Sequence, residues 1–238
     1  MFVHPSGGDV SVGPDAGGGV LCAPVPGTAR RWRCVQFVTE AEQAAAYHVG
    51  MVYVGGGGGG SEGRRCVCGC VVVRARWSAA PARCVAARTH PALATLLPSW
   101  SARVTDRTGR HIETSIIRSV VHSHFNRDDS LNDIGLFQHK DSIDIENYHY
   151  GMLWRARASP VSREVCRHHV APVMELRDHE LCVTLDTTPP QALLGVGAAL
   201  VVDSYVIGFY SWGSERGDLP LIILNMAHYQ RWIENIVN

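Results

Sequence analysis

The sequence predicts an all-β architecture that ends in a single C-terminal α-helix. Several short Val-rich runs are bounded by Gly or Arg, which is typical of strands. Residues 226–238 carry apolar side chains at helical spacing. Many short strands followed by one helix favour a β-barrel architecture.

Two Gly-rich stretches are expected to lie outside the packed elements. Residues 1 to about 33 are rich in Gly and Pro and show no sustained periodicity. Such a segment cannot bury enough surface to offset its ordering entropy, so we expect a flexible tail. Gly55–Gly60, followed by Ser61, Glu62 and Gly63, predicts a long mobile loop inside the folded region.

The predicted strands are read from apolar runs in chain order. They lie at Tyr47–Val54, Cys70–Val73, Glu113–Val121 and within Ala199–Ser211. The last segment consists of two apolar runs that meet at Asp203-Ser204, which predicts a hairpin turn there.

The C-terminal helix is predicted from its apolar face. That face comprises Met226, Tyr229, Trp232, Ile233, Ile236 and Val237. Side chains three, four and seven positions apart stack on one side of a helix. Asn225 precedes them and is a suitable N-cap residue.

Composition limits the function classes. The chain has 238 residues, of which 46% are hydrophobic and 18% charged, so a wholly disordered chain is excluded. Twenty-two basic residues balance twenty-two acidic ones, which does not suggest a nucleic-acid partner. No run of about 18 apolar residues is present, so we expect no membrane span and no membrane partner.

Compartment signals in the sequence conflict. The N-terminal residues have neither the basic region nor the continuous apolar region of a signal peptide. Eight cysteines nevertheless favour an oxidising compartment.

Three segments carry a family resemblance. Cys68–Val85 (CGCVVVRARWSAAPARCV) resembles CGGSLISPRWVLTAAHCV, and Val120–Phe137 (VVHSHFNRDDSLNDIGLF) is similar to IVHPNFN…NDIALL. From Gly195 onward, GVGAALVVDSYVIGFYSWG and NMAHYQRWIENI are similar to GDSGGPLVVDGVLVGIVSWG and to NVSAYLDWI. In this order, the segments resemble the chymotrypsin/trypsin family of serine proteases over residues 34–238.

The resemblance implies a fold and a domain division. The expected fold is two antiparallel six-stranded β-barrels with a C-terminal α-helix. The first barrel would span about 34–138, the second about 150–225, and the helix 226–238, after the N-terminal segment 1–33.

The resemblance also locates the catalytic triad, in which two of the three positions are replaced. Asp133 falls on the triad aspartate, Arg83 on the histidine and Val196 on the serine. Arginine stays protonated and cannot act as a general base, and valine has no nucleophilic atom. Losing the nucleophile or the base of such a triad costs about 10⁶ in turnover. The resemblance therefore implies a catalytically inactive serine protease homologue, a pseudoprotease.

Further departures from the family pattern agree with this interpretation. They fall on the activating N-terminus, the oxyanion hole and the specificity pocket. The residues at these positions are Val35–Val38, Pro190, Ala192, Leu194, Gly195, (approximately) Arg216 and Leu221.

By the same resemblance, two disulfide bonds are expected, Cys68–Cys84 and Cys166–Cys182. The remaining cysteines have no assigned partner, and a Cys22–Cys34 bond is only a guess from proximity. These four are Cys22, Cys34, Cys66 and Cys70.

Metal and cofactor sites are not expected. His122 and His124 share a face of a predicted strand, and Cys66-Val67-Cys68-Gly69-Cys70 could bind a soft metal. Neither HExxH nor paired CxxC spacing supports a site, so we read the histidines as surface or hydrogen-bonded residues. Satisfying a buried carboxylate such as Asp133 is the simplest structural use of Arg83.

The expected function is binding rather than catalysis. Homologues of this kind are secreted and act as cofactors, decoys or regulators of proteolysis, so we expect a protein partner such as an active protease or its substrate. One alternative is an active trypsin-like serine endopeptidase, if Arg83 and Val196 are sequence errors. Another is a gene product that does not fold.

Overall fold

A computed structural model describes the greater part of the chain. The described residues are 21–24, 32–35, 49–55, 64–90, 99–105, 111–143, 158–171, 174–185, 196–202, 205–213 and 220–238. Among these residues, no helix has both the length and the apolar character that a membrane span requires.

Two short strands precede the main fold. Strands β1 (Leu21–Pro24) and β2 (Trp32–Val35) pair antiparallel, with Cys22 opposite Cys34. The structure differs here from the predicted tail without regular structure. Backbone pairing forms at a segment where neither strand has enough residues to show the alternating pattern that predicts one.

The first half of the fold is a closed antiparallel barrel. Its strands are β3 (Val49–Gly55), β4 (Arg64–Arg74), β5 (Trp77–Ala80), β6 (Ser99–Thr105), β7 (His111–Val121) and β8 (Gly135–His139). They are arranged in the order β3-β4-β5-β8-β7-β6, and pairing of β3 with β6 closes the barrel. On β7, buried Thr114 and Ile116 alternate with exposed Ser115 and Ile117, because successive side chains point to opposite faces.

The second half contains a five-stranded antiparallel sheet. Its strands are β9 (Ala158–Pro160), β10 (Glu180–Leu185), β11 (Ala199–Val202), β12 (Tyr205–Gly213) and β13 (Leu221–Asn225), in the order β11-β12-β13-β10-β9. Within the part of the chain that the structure describes, these five strands form a half-barrel, in agreement with the predicted fold class. Residues 144–157 and 186–195, which lie next to these strands in the sequence, are outside the described residues.

The predicted hairpin between the two apolar runs of this half is present. Strands β11 and β12 pair antiparallel as far as Val202 opposite Tyr205. Asp203 and Ser204 themselves lie outside the described residues.

Two short helices were not predicted. Helix α1 (Ala82–Thr89) follows Pro81, and α2 (Arg163–Val170) is capped by Ser162, whose hydroxyl accepts a hydrogen bond from the Val165 backbone at 3.3 Å. Isolated helices of this length are marginal in water, so tertiary contacts must hold them. Each helix carries one cysteine of a disulfide bond, which ties it to a strand: Cys84 to Cys68, and Cys166 to Cys182.

The predicted C-terminal helix is confirmed. A 3₁₀ turn (Met226–Tyr229) leads directly into α3 (Gln230–Val237). The Asn225 side chain accepts a hydrogen bond from the Ala227 backbone at 3.1 Å, as expected of the cap. Tyr229 and Ile233 are buried on the predicted apolar face.

The two halves and the C-terminal segment share one core. Its largest cluster of buried side chains includes Trp77 and Leu136 of the barrel, Phe209 and Ile223 of the sheet, and Tyr229. Because this core is continuous, residues contributed by both halves are held in fixed relation where the halves meet.

Candidate functional site

Arg83 is positioned by the start of α1. The carbonyl of Pro81 accepts hydrogen bonds from the backbone of Cys84 at 2.9 Å and of Val85 at 3.1 Å. Cys84 is also bonded to Cys68 of β4, with 6.4 Å between their Cα atoms. The first helical turn is therefore fixed on the barrel, and Arg83 lies within that turn.

Asp133 is positioned by the turn between β7 and β8. Two residues of this turn have left-handed backbone angles, Ser130 with φ of 56° and Asn132 with φ of 50°. Asn tolerates this region better than most residues. The Asn132 side chain donates a hydrogen bond to the His124 carbonyl and accepts one from the Tyr229 hydroxyl, both at 3.1 Å. These bonds hold the turn so that Asp133 is directed inward, where it is 0% exposed.

The Asp133 carboxylate accepts three hydrogen bonds. Its Oδ2 receives Nε of Arg83 at 2.9 Å and the Ser211 hydroxyl at 2.6 Å, and its Oδ1 receives the Arg83 backbone N–H at 3.1 Å. Both oxygens of the buried anion are thereby satisfied, and a guanidinium cation balances the charge. The sequence suggested that Arg83 satisfies the buried carboxylate of Asp133, and the structure contains this contact.

The far end of the guanidinium is also bonded. Nη2 of Arg83 donates to the Ser130 hydroxyl at 2.5 Å. The side chain of Arg83 is 32% exposed, so its outer edge remains in contact with solvent. The arginine therefore bridges α1 and the β7–β8 turn.

The cation beside Asp133 cannot serve as the general base that a serine protease triad requires. Arginine is protonated at every physiological pH. Among the described residues, no imidazole is hydrogen-bonded to Asp133, since its donors are Arg83 and Ser211. The Ser211 hydroxyl donates a hydrogen bond to Asp133, so the carboxylate is bonded to one cation and one hydroxyl.

Val196 lies where the second half of the fold meets the barrel. Its carbonyl accepts a hydrogen bond from the Gly69 backbone at 2.9 Å, and its side chain packs against the shared core. Gly69 follows Cys68, whose disulfide partner Cys84 follows Arg83. The structure therefore brings the segments of Arg83, Asp133 and Val196 to one junction.

Gly197 makes this close approach possible. Its φ of +88° is in the left-handed region, and a Cβ on it would lie 2.2 Å from the carbonyl oxygen of Gly69. A Cβ on Gly69 would lie 2.4 Å from the Gly197 carbonyl oxygen. Only glycine fits at either position without moving the backbone. The two glycines thus set the spacing between the Val196 segment and β4.

The other predicted site positions are distributed differently. Leu221 is a buried residue of β13, in register with Gly213 and Val183. Pro190, Ala192, Leu194, Gly195 and Arg216 lie outside the described residues, as do residues 36–38. Cys22 and Cys34 have opposite backbone positions in β1 and β2, and their bonding stays a prediction.

Cys70, Ser78 and His139 form a separate buried network inside the barrel. Ser78 Oγ and Nε2 of His139 are 2.9 Å apart, and Ser78 also hydrogen-bonds the Cys70 thiol. Burial raises the pKa of Cys70 to about 12 and lowers that of His139 to about 4. A buried thiol that keeps its proton is a poor nucleophile, so we assign Cys70 a structural role. Cys66 is buried as well.

A metal centre is not formed by these groups. In the described part of the chain, no group of three or more His, Cys, Asp or Glu side chains is arranged to hold a metal ion. Of the two histidines considered for a metal site, His122 accepts a hydrogen bond at Nδ1 from the His124 backbone at 3.3 Å.

Sequence reasoning missed two residues of the junction. Ser211 lies in the Ser-Trp-Gly motif that was used only to recognise the family, so a signal for it was present. Ser130 has no such signal, because its contact with Arg83 depends on the left-handed turn that brings it close.

A closed six-stranded barrel, a second antiparallel sheet, a C-terminal helix and a buried aspartate between the halves define a chymotrypsin-like fold. Solved structures show the same architecture. One is described as neuropsin, a serine protease expressed in the limbic system of mouse brain; it superposes with a TM-score of 0.61 at 18% identity, over 82% of this chain and 96% of that one. No protein-family model matches the sequence, and no curated protein does. At this identity, the likeness establishes the fold.

Proposed function

We propose that this chain is a non-catalytic homologue of the trypsin-like serine proteases that acts by binding another protein. The observation that carries the proposal is the ion pair between Arg83 Nε and Asp133 Oδ2, at 2.9 Å. In the resembled family, this aspartate orients the catalytic imidazole. Here the carboxylate is bonded to a cation that cannot accept a proton.

The environment of Val196 supports the same proposal. Its side chain is half-buried against the shared core, and its carbonyl is bonded to Gly69. An isopropyl group at the nucleophile position cannot attack a carbonyl carbon. The scaffold around it is retained, since Gly197, Gly69 and the Cys68–Cys84 bond hold this segment on the barrel.

The proposed partner is a protein of a proteolytic system, either an active protease or its substrate. The proposed roles are those of a cofactor, decoy or regulator. Disulfide bonds persist in oxidising compartments, and the fold is that of a serine protease described above, so we infer that the chain works outside the cell.

Covalent labelling tests the loss of catalysis. Purified wild-type protein is treated with a fluorophosphonate probe beside an Arg83→His/Val196→Ser double variant, and each is incubated with a peptide substrate. We expect no labelling and no cleavage by the wild type. Labelling of the wild type at any side chain, or cleavage of the peptide by the wild type, would overturn the proposal.

A functional assay tests the binding role. Hydrolysis of a protein substrate by an active trypsin-like protease is measured with and without this chain, and the melting temperature of the chain is measured with the inhibitor-blocked protease. We expect a change in hydrolysis and a rise in melting temperature. The reduced, unfolded chain is the control, and an identical effect from it would refute specific binding.

A further inference from the structure

Four histidines gather around the C-terminal segment at the junction of the two halves. His122 and His124 follow β7 of the barrel, His179 precedes β10 of the sheet, and His228 lies in the 3₁₀ turn before α3. We call these four residues the histidine cluster. Three separate parts of the fold thus contribute imidazoles to one place.

The rings of the cluster contact one another and the aromatic side chains of the C-terminal segment. His179 and His228 are stacked, with centroids 4.3 Å apart and 10° between their planes. His122 lies 5.8 Å from His124, 5.7 Å from Tyr229 and 5.1 Å from Trp232. Tyr229 also contacts the rings of His179 at 5.4 Å and of His228 at 4.8 Å.

The polar contacts of His122 and His179 favour neutral rings. Nδ1 of His122 accepts the backbone N–H of His124, which a protonated Nδ1 could not do. Nε2 of His179 is buried with no hydrogen-bond partner among the described residues. An imidazolium carries a proton on both nitrogens, so protonation would leave a buried donor unsatisfied. Two stacked imidazolium rings would also repel each other.

We propose that the histidine cluster is a pH-operated latch, in which neutral imidazoles hold the 226–237 segment against both halves of the fold and their protonation releases it. The segment contains the stacked His228, together with Tyr229 and Trp232, and no disulfide bond ties it to the rest. Release would therefore open the junction at the end of the chain without unfolding the barrel.

The titration of the cluster supports this proposal. Burial lowers the pKa of His179 to about 4, with the charges of His228, Arg177 and Arg163 lowering it further and Asp178 raising it. Burial, His124 and His228 lower the pKa of His122. Glu180 and Asp133 face Tyr229, whose pKa burial raises. Rings with a lowered pKa are neutral in the closed form and take up protons on release.

The size of the effect follows from linkage. The pKa of His179 is about 4 in the closed form and would be about 6.5 after release. The equilibrium constant for release would then be about 30-fold larger at pH 5 than at pH 7.5. His179 is only half-buried, so we expect on the order of a tenfold change.

Hydrogen exchange tests the latch. Exchange of the 226–237 amides is measured from pH 7.5 to pH 5.0 and corrected for the intrinsic pH dependence, with amides of β3 and β8 as the reference. We expect protection of the segment to fall about tenfold more than that of the reference strands. Unchanged protection, or an equal loss in β3 and β8, would overturn the proposal.

Matched variants separate the cluster from histidine content in general. His179→Gln/His228→Gln removes the stacked pair, and we expect the pH response to shrink to less than threefold. His168→Gln/His169→Gln removes two adjacent, exposed histidines of α2 and should retain the full response. If the first variant does not fold, His228→Gln alone is used in its place, because it changes only an exposed side chain. We expect it to halve the logarithm of the pH-dependent change in protection. A full response in the folded cluster variant refutes the latch.

Discussion

The pairing of Arg83 with Asp133 yields the sharpest stability prediction. Arg83→Met keeps an unbranched side chain but removes the guanidinium from a carboxylate that is 0% exposed. Removing one partner of a buried ion pair costs about 3–5 kcal/mol when the remaining charge has no other partner. Asp133 would keep the Arg83 backbone N–H and the Ser211 hydroxyl, and Arg83 is 32% exposed. We therefore expect a loss of about 2 kcal/mol in the free energy of unfolding.

Urea unfolding at pH 7 measures this loss, with both disulfide bonds intact. A double-mutant cycle with Arg83→Met, Asp133→Asn and the double variant isolates the pair, and we expect a coupling energy of about 2 kcal/mol.

A second ion pair provides the control. Arg163 Nη2 and Asp178 Oδ1 are also 2.9 Å apart, but the carboxylate is fully exposed. Since exposed pairs contribute little, Asp178→Asn should leave the midpoint of urea unfolding close to that of the wild type. If Asp178→Asn lowers the urea midpoint as much as Asp133→Asn does, burial of Asp133 does not govern the strength of the contact, and the reasoning fails.

Three further predictions concern the barrel and its junction with the second half. Burial lowers the pKa of His139 from 6.5 to about 4, so up to about 3 kcal/mol of the free energy of unfolding should be lost as the pH falls from 6.5 towards 4. Urea midpoints measured across this range should fall less in His139→Gln than in the wild type. His90→Gln, which changes an exposed histidine, should retain the wild-type pH profile. Gly197→Ala places a Cβ against the Gly69 backbone at a positive φ, so we expect the free energy of unfolding to fall by at least about 2 kcal/mol and the melting temperature by about 5 °C. A melting temperature within about 1 °C of the wild type would contradict this. Burial raises the pKa of Cys70 to about 12, so iodoacetamide at pH 8 should alkylate Cys70 in urea but not in the native protein, as read by peptide mass spectrometry. Alkylation of Cys70 in the native protein would refute the buried, protonated thiol.

Three of the six barrel strands, β3, β4 and β7, could be predicted from the sequence because they carry their own apolar pattern. Glu113–Val121 was predicted as a strand and lies within β7 (His111–Val121), where buried and exposed side chains alternate. The C-terminal helix was also predicted, since Tyr229 and Ile233 recur at helical spacing and Asn225 caps the first turn.

The two short helices could not be predicted in the same way. Helix α1 has only Ala82, Cys84 and Val85 buried, and α2 only Cys166 and Val170. Two or three inward residues do not establish a period, and eight residues form too few turns to be stable alone. Their disulfide bonds and their packing on the strands decide their conformation.

The sequence determined which chemical groups stand at the candidate site. Arg83, Asp133 and Val196 were identified from motif positions, and the lack of an imidazole and of a hydroxyl nucleophile among them follows from the residue types alone. Which donors satisfy Asp133 was decided only by the tertiary structure. Ser211 and Ser130 lie 78 and 47 positions away from their partners, and they reach them through the shared core and a left-handed turn.

The histidine cluster illustrates the same division. The sequence determined that this chain is rich in histidine, and His122 and His124 were recognised as neighbours on one face. Their meeting with His179 and His228 was decided by the docking of the C-terminal segment at the junction, because rings from three distant parts of the chain converge only after the core has formed. Helical and strand periodicity depends on neighbouring residues and can be read from the sequence, whereas contacts between distant residues form only when the chain packs into its tertiary structure.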